Sequence, residues 1–136
     1  MADDPNQHII DEFRENEGRV GGFFDGASML LLHTVGRKSG RPRVNPLVYL
    51  PDGDRYVIIA SKGGAPMHPD WYHNLLANPD VEIEVSTETI PVHATDVEDD
   101  EEHDALYARQ VERRPGFADY LKKTDRRIPV IALERR

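Results

Sequence analysis

No cysteine occurs among the 136 residues, which excludes disulfides, thiolate metal sites and thiol nucleophiles together. No apolar run approaches the ~18–20 residues that a bilayer span needs. The opening stretch from Met1 to Ile10, with Asp3 and Asp4, lacks the basic start of a secretory signal, so a cytoplasmic location is expected. Acids outnumber lysines and arginines 25 to 17, which argues against nucleic-acid binding, where phosphate neutralisation by cations dominates affinity. Catalytic signatures are missing too. His68 and His73 stand five apart rather than four, and no HExxH, G-x-S-x-G, Walker loop or G-x-G-x-x-G occurs. No metal site, hydrolase, kinase or nicotinamide dehydrogenase is expected, and any redox chemistry would come from a bound cofactor. The length fits one domain with a real core.

What is present is unevenly placed. Gly36-Arg37-Lys38-Ser39-Gly40-Arg41-Pro42-Arg43 puts four cations into eight residues of a chain whose net charge is −8, and no Asp or Glu lies between Asp25 and Asp52. The glycines allow a tight turn that could aim N–H groups into one concavity. Cations over such a turn suit a phosphate or carboxylate, since charge-assisted hydrogen bonds are about twice as strong as neutral ones. A hairpin tip kept soluble by charge is the competing reading. This segment alone does not separate the two.

The periodicity predicts an amphipathic helix over Pro5–Glu17, with Ile9, Ile10 and Phe13 on one face. It forms an N-terminal arm (1–28) ahead of the main domain (29–136); its acid-rich polar face favours packing on the domain, with peripheral membrane contact as the other option. Met29–Val35 reads as a strand buried on both faces, followed by strands at Val44–Leu50 and Tyr56–Ser61. The short turns between them predict a three-stranded antiparallel meander. A loop then leads to a helix over Pro69–Ala77, a hairpin over Val81–Ala94, helices over Asp99–Arg113 and Phe117–Lys123, and a last strand at Ile128–Leu133. Six strands without regular βαβ alternation predict a mainly β, six-stranded antiparallel barrel with peripheral helices.

The second dense segment is Ser61-Lys62-Gly63-Gly64-Ala65-Pro66, followed by Pro69-Asp70-Trp71-Tyr72-His73-Asn74-Leu75. Glycines at a strand end let backbone approach a flat ligand, and a helix start at Pro69 offers free N–H groups to an anion. Core packing is the plain reading of Trp71 and Tyr72. Together with Gly36–Gly40, Arg43 and Pro46, and with the closing Thr124-Asp125-Arg126, these motifs resemble the deazaflavin-dependent nitroreductase family from about Met29 onward. That family consists of split β-barrel proteins that use coenzyme F420. The resemblance implies that Arg37, Lys38 and Arg43 hold the cofactor's phosphate and oligoglutamate tail. It also implies that Pro46, Ser61, Lys62, Gly63, Gly64 and Ala65 line the deazaflavin and ribityl chain, with Trp71 and Asn74 nearby. Ser61 and Tyr120 are the implied catalytic hydroxyls.

The expected reaction is hydride transfer from the reduced deazaflavin to a quinone, an activated alkene or a nitro compound. Nitro-reducing members resemble this chain less around the substrate: Tyr120 is retained, but Val48, Arg114 and Phe117 stand where tyrosines are expected. Val48, Phe117 and Tyr120 are the implied acceptor contacts, with Phe117 and Tyr120 as a lid hinged at Pro115-Gly116. Two alternatives remain at this point: an FMN-dependent oxidoreductase on the same barrel, for which four cations are excessive, and a non-catalytic carrier of deazaflavin or fatty acid. The oligomeric state stays open between monomer and homodimer.

Overall fold

Strict alternation along a few apolar strands builds this molecule, whose computed structural model describes residues 5–22 and 26–136. Asp3, Asp4 and Asp25 lie outside the described residues. Strand β1 (Met29–Val35) sends Leu30 and Leu32 to one face and Met29 and Leu31 to the other, and all four are buried. Strand β2 (Pro42–Val48) pairs with it antiparallel, Leu31 opposite Pro46. Strands β3 (Leu50–Asp52), β4 (Arg55–Ile59), β5 (Asp80–Val85), β6 (Glu88–Asp96) and β7 (Val130–Arg135) complete one sheet in the order β2-β1-β5-β6-β7-β4-β3. Every pairing is antiparallel.

Among the described residues there are therefore seven strands rather than the six expected. The stretch read as one strand over Val44–Leu50 is broken at Tyr49 into β2 and β3, which lie at opposite edges of the sheet. The expected three-stranded meander is corrected for the same reason: β2 pairs with β1, β3 pairs with β4, and one residue joins the two edges. The bend closes the sheet on itself as a split barrel. Tyr49 is held there by its N–H to the Ser28 carbonyl at 2.9 Å and by edge-on contact with Tyr56. Both prolines of β2, Pro42 and Pro46, are tolerated because β2 is an edge strand.

The inner face carries Leu30, Leu32, Ile58, Ile83, Ile90, Val92, Ile131 and Leu133, and helix α2 (Asp70–Ala77) adds Trp71, Tyr72 and Leu75 to that cluster. Outside, helix α3 (Asp100–Arg113) covers Val57, Val130 and Ala132 with Leu106 and Tyr107. The Asp99 side chain caps α3 by accepting the Glu102 N–H at 2.9 Å, the role for which Asp is favoured there. Helix α4 (Gly116–Lys123) follows directly.

Helix α1 (Pro5–Glu15) packs on the other outer face, with Ile10 and Phe13 against Met29 and Leu31. Arg14 ties it down by donating to both oxygens of Glu84 at 3.2 and 2.8 Å, and His33 meets the same carboxylate at 2.6 Å. The Arg14 hydrogen bonds hold the Glu84 carboxyl below the ordinary range against the opposing effect of burial. The apolar face of α1 is thus taken up by the barrel. Phe13 is 1% exposed, so Phe13→Ala should cost ~3–5 kcal/mol by the cavity rule, read by urea unfolding as a shift of the whole transition. A loss below ~1 kcal/mol would mean that the arm is not part of the cooperative unit.

Candidate functional site

The turn after β1 is closed by backbone bonds. Gly40 donates to the Gly36 carbonyl at 2.8 Å and Gly36 to the Arg41 carbonyl at 2.9 Å. Gly40 sits at φ +71, the left-handed region that glycine enters without strain. The turn's N–H groups are therefore largely spent on the fold. Arg37 donates its N–H to the side-chain oxygen of Asn74 at 3.1 Å, and Asn74 reaches Thr34 Oγ1 at 3.4 Å. Asn74 is 5% exposed; it locks the basic turn to α2.

The side chains are left for a ligand. Arg37, Lys38, Arg41 and Arg43 are all exposed, and among the described residues none of them pairs with a carboxylate. Arg14, Arg55, Arg109, Arg127, Arg135 and Arg136 each do. Arg37, Lys38 and Arg43 line a cavity of about 730 Å³ together with Ser61, Lys62, Trp71 and Asn74. All seven come from the motifs on which the resemblance rests, and Lys62, in the turn that follows β4, adds a fourth cation to the lining.

A second lobe of about 440 Å³ adjoins the first, sharing Leu47, Ile59 and Ser61. Its other walls are Pro46, Val48, Phe117 and Tyr120, with Arg113 and Arg114 at the rim. Phe117 and Tyr120 meet edge-on with centroids 5.0 Å apart, and Tyr107 donates its hydroxyl to the Phe117 carbonyl at 2.7 Å. Burial first, with the neighbouring Tyr120, pushes the Tyr107 hydroxyl up to about 12, so it stays a donor at neutral pH. Here α4 is a packed wall of the lobe.

One groove thus has a cationic, polar lobe and an apolar lobe, meeting at Ser61. Pro46, expected beside the cofactor, lies in the apolar lobe with Val48, Phe117 and Tyr120. Gly64 and Ala65 line neither lobe. They form the short 3-10 turn Lys62–Gly64 and its exit, and Gly64 packs toward α4, where an added Cβ would lie 2.9 Å from Lys123 Cβ and 3.2 Å from Tyr120 Cα. The glycine is needed for close approach, but what approaches is a helix of the same chain. Sequence reading missed Leu47, Ile59 and Asn45 in the lining, since single strand residues outside a motif carry no ligand signal. The barrel itself is filled: Leu30, Leu32, Ile83, Val92 and Leu133 have no exposed surface. A fatty acid inside the barrel has no space.

Comparison with known proteins identifies the family of the chain. Residues 7–135 match the sequence model of the family described as F420H(2)-dependent quinone reductase, which extends the likeness into α1, beyond the start near Met29 expected from the motifs. An F420H(2)-dependent quinone reductase of Mycobacterium tuberculosis is 46% identical over 130 residues, covering 91% of this chain and 85% of that protein. A solved F420-H2 dependent reductase, FDR-A, superposes with a TM-score of 0.70 at 39% identity, covering 79% of this chain and 94% of that one. A further structure, described as a domain-swapped dimer, gives a TM-score of 0.73 at 34% identity over 96% of this chain and all of that one.

Two glycine substitutions separate packing from turn geometry. Gly40→Ala, with nothing within 4 Å of its added Cβ, should cost only the ~1–2 kcal/mol of left-handed strain. Gly64→Ala meets both the strain of φ +84 and the wall of α4, and should cost clearly more by urea denaturation. Equal losses would contradict the packing role of Gly64.

Proposed function

Because the chain belongs to the F420H(2)-dependent quinone reductase family, we propose that its two-lobed groove holds coenzyme F420 beside a quinone acceptor. The carrying observation is the set of exposed cations that have no carboxylate partner among the described residues, at one end of a groove whose other end is more apolar. Such a cluster fits a polyanionic tail better than a single phosphate, which supports F420 over FMN. Arg37, Lys38, Arg43 and Lys62 would bind the phosphate and glutamate charges. Ser61, Trp71 and Asn74 would border the deazaflavin end, with Asn74 acting through the turn it fixes.

When bound and reduced, the cofactor supplies the hydride; reduction of a quinone to a quinol also takes up a proton. The protein's own part is to align and to exclude water. Pro46, Leu47, Val48, Ile59 and Phe117 give the acceptor lobe an apolar lining suited to a flat quinone. Ser61 and Tyr120 are the hydroxyls lining that lobe, and they would donate hydrogen bonds to the acceptor oxygen as negative charge develops on it. The family places a quinone ahead of the nitro compounds and activated alkenes that the sequence left open. A homodimer is supported by the relative solved as a domain-swapped dimer. Among the described residues no helix is long and apolar enough to cross a membrane.

One set of variants tests both lobes. Lys38→Ala and Arg43→Ala should each weaken F420 binding by the ~1.5–3 kcal/mol of a charge-assisted bond, roughly tenfold to more than a hundredfold in Kd. Tyr120→Ala should instead keep F420 affinity and lose quinone turnover. Normal F420 binding by both cation variants, read by cofactor fluorescence, would leave the basic turn a solvated hairpin tip.

A further inference from the structure

Arg126 belongs to the closing motif Thr124-Asp125-Arg126, and it does not line either lobe of the groove. Its guanidinium is turned onto the backbone of the segment that carries Ser61 and Lys62. Nη2 donates to the Ser61 carbonyl at 2.8 Å and the Ala60 carbonyl at 3.2 Å, and Nε donates to the Ala65 carbonyl at 2.9 Å. The fork spans both ends of the 3-10 turn, so the position of Ser61 at the junction of the lobes depends on it. Nη1 makes the fourth contact, to His68 Nδ1 at 2.8 Å.

That last contact fixes a protonation state. A guanidinium has five donors and no acceptor, so His68 Nδ1 must accept and the imidazole must be neutral, with its proton on Nε2. Around His68 stand Arg126 from the C-terminal segment, Tyr72 and His73 from α2, with ring centroids at 4.8 and 5.8 Å, and Asp96 from β6. Two of these neighbours, Arg126 and His73, oppose a positive imidazole, whereas Asp96 favours one. The Asp96 carboxylate already accepts the Tyr72 hydroxyl at 2.6 Å.

We propose that Arg126 is a positioning residue for the cofactor-binding segment 60–65, and that it holds this segment only while His68 is neutral, so that F420 binding weakens in acid. The inference rests on the F420 reading above. Protonating His68 would put two donors face to face and release Nη1 from its partner, loosening the fork at the His68 end. The sign follows from the burial of His68, which, with Arg126 and His73 adding to it, holds the imidazole below its ordinary value of 6.5. A depressed folded value means that the contact is complete above about 6.5 and is lost as pH falls through the lower folded value.

His68→Asn provides the test, because the Asn side-chain oxygen can take the place of Nδ1 as acceptor and does not titrate. In the protein without cofactor, backbone amide NMR signals of Ser61–Ala65 should move with the His68 ring titration in the wild type and stay still in His68→Asn. With F420, the rise in Kd between pH 7.5 and pH 5 should be about tenfold larger in the wild type than in His68→Asn, the size of one lost charged contact. Titration of the cofactor itself is common to both proteins and cancels in that ratio. Arg126→Lys, which keeps the charge and lacks the fork, should bind F420 about tenfold more weakly at pH 7.5. Equal pH ratios in wild type and His68→Asn, amide signals indifferent to the His68 titration, or unchanged affinity in folded Arg126→Lys would each overturn the proposal. If neither wild type nor His68→Asn binds F420 at pH 7.5, the cofactor reading fails, and the amide signals still decide the role of His68.

Discussion

At Tyr49 one strand-forming stretch leaves the edge of the sheet as β2 and re-enters at the opposite edge as β3, and the closed barrel depends on that bend. Closure makes an inside and an outside, and the inside is packed without space for a ligand. The described groove opens instead on the outer surface, where the β1–β2 turn, the end of β4 and the start of α2 come together. The groove lies there because of the topology.

The electrostatics of the groove follow from its surroundings. Six of this acidic chain's thirteen arginines pair with carboxylates among the described residues, as with Arg14 on Glu84 and Arg109 on Asp52. The cations of the β1–β2 turn stand together without such partners among the described residues, and their mutual repulsion is a cost that a bound polyanion would remove. Among the described residues lining the neighbouring, more apolar lobe, two carry hydroxyls, Ser61 and Tyr120. One half of the groove thus suits a charged tail and the other a flat ring, which is the division of labour a deazaflavin reductase needs.

Much of this was legible in the residues. The unbroken run Met29–Leu32 announced a strand covered on both faces, and it is covered by the barrel core on one side and α1 on the other. The basic turn was legible because charge asymmetry survives without knowledge of the fold. The bend at Tyr49 was not, since Val48-Tyr49-Leu50 carries no glycine or proline to mark it and only the pairing of distant strands breaks it. Gly64 was legible as a point of close approach but not as to what approaches. Arg126 gave no sign of its role because three of its four partners are backbone carbonyls, which every residue possesses.

The central claim is that the cationic lobe reads the anionic tail while the rest of the groove takes the ring system. The most direct test compares, on the same purified protein, the affinity of F420 with that of a deazaflavin analogue lacking the phosphate and glutamates, at low and high salt. The account predicts that the analogue binds at least about a hundredfold more weakly, as expected for loss of two or more charge-assisted contacts. It also predicts that added salt weakens F420 and leaves the analogue nearly unaffected. Equal affinities with equal salt dependence would contradict it.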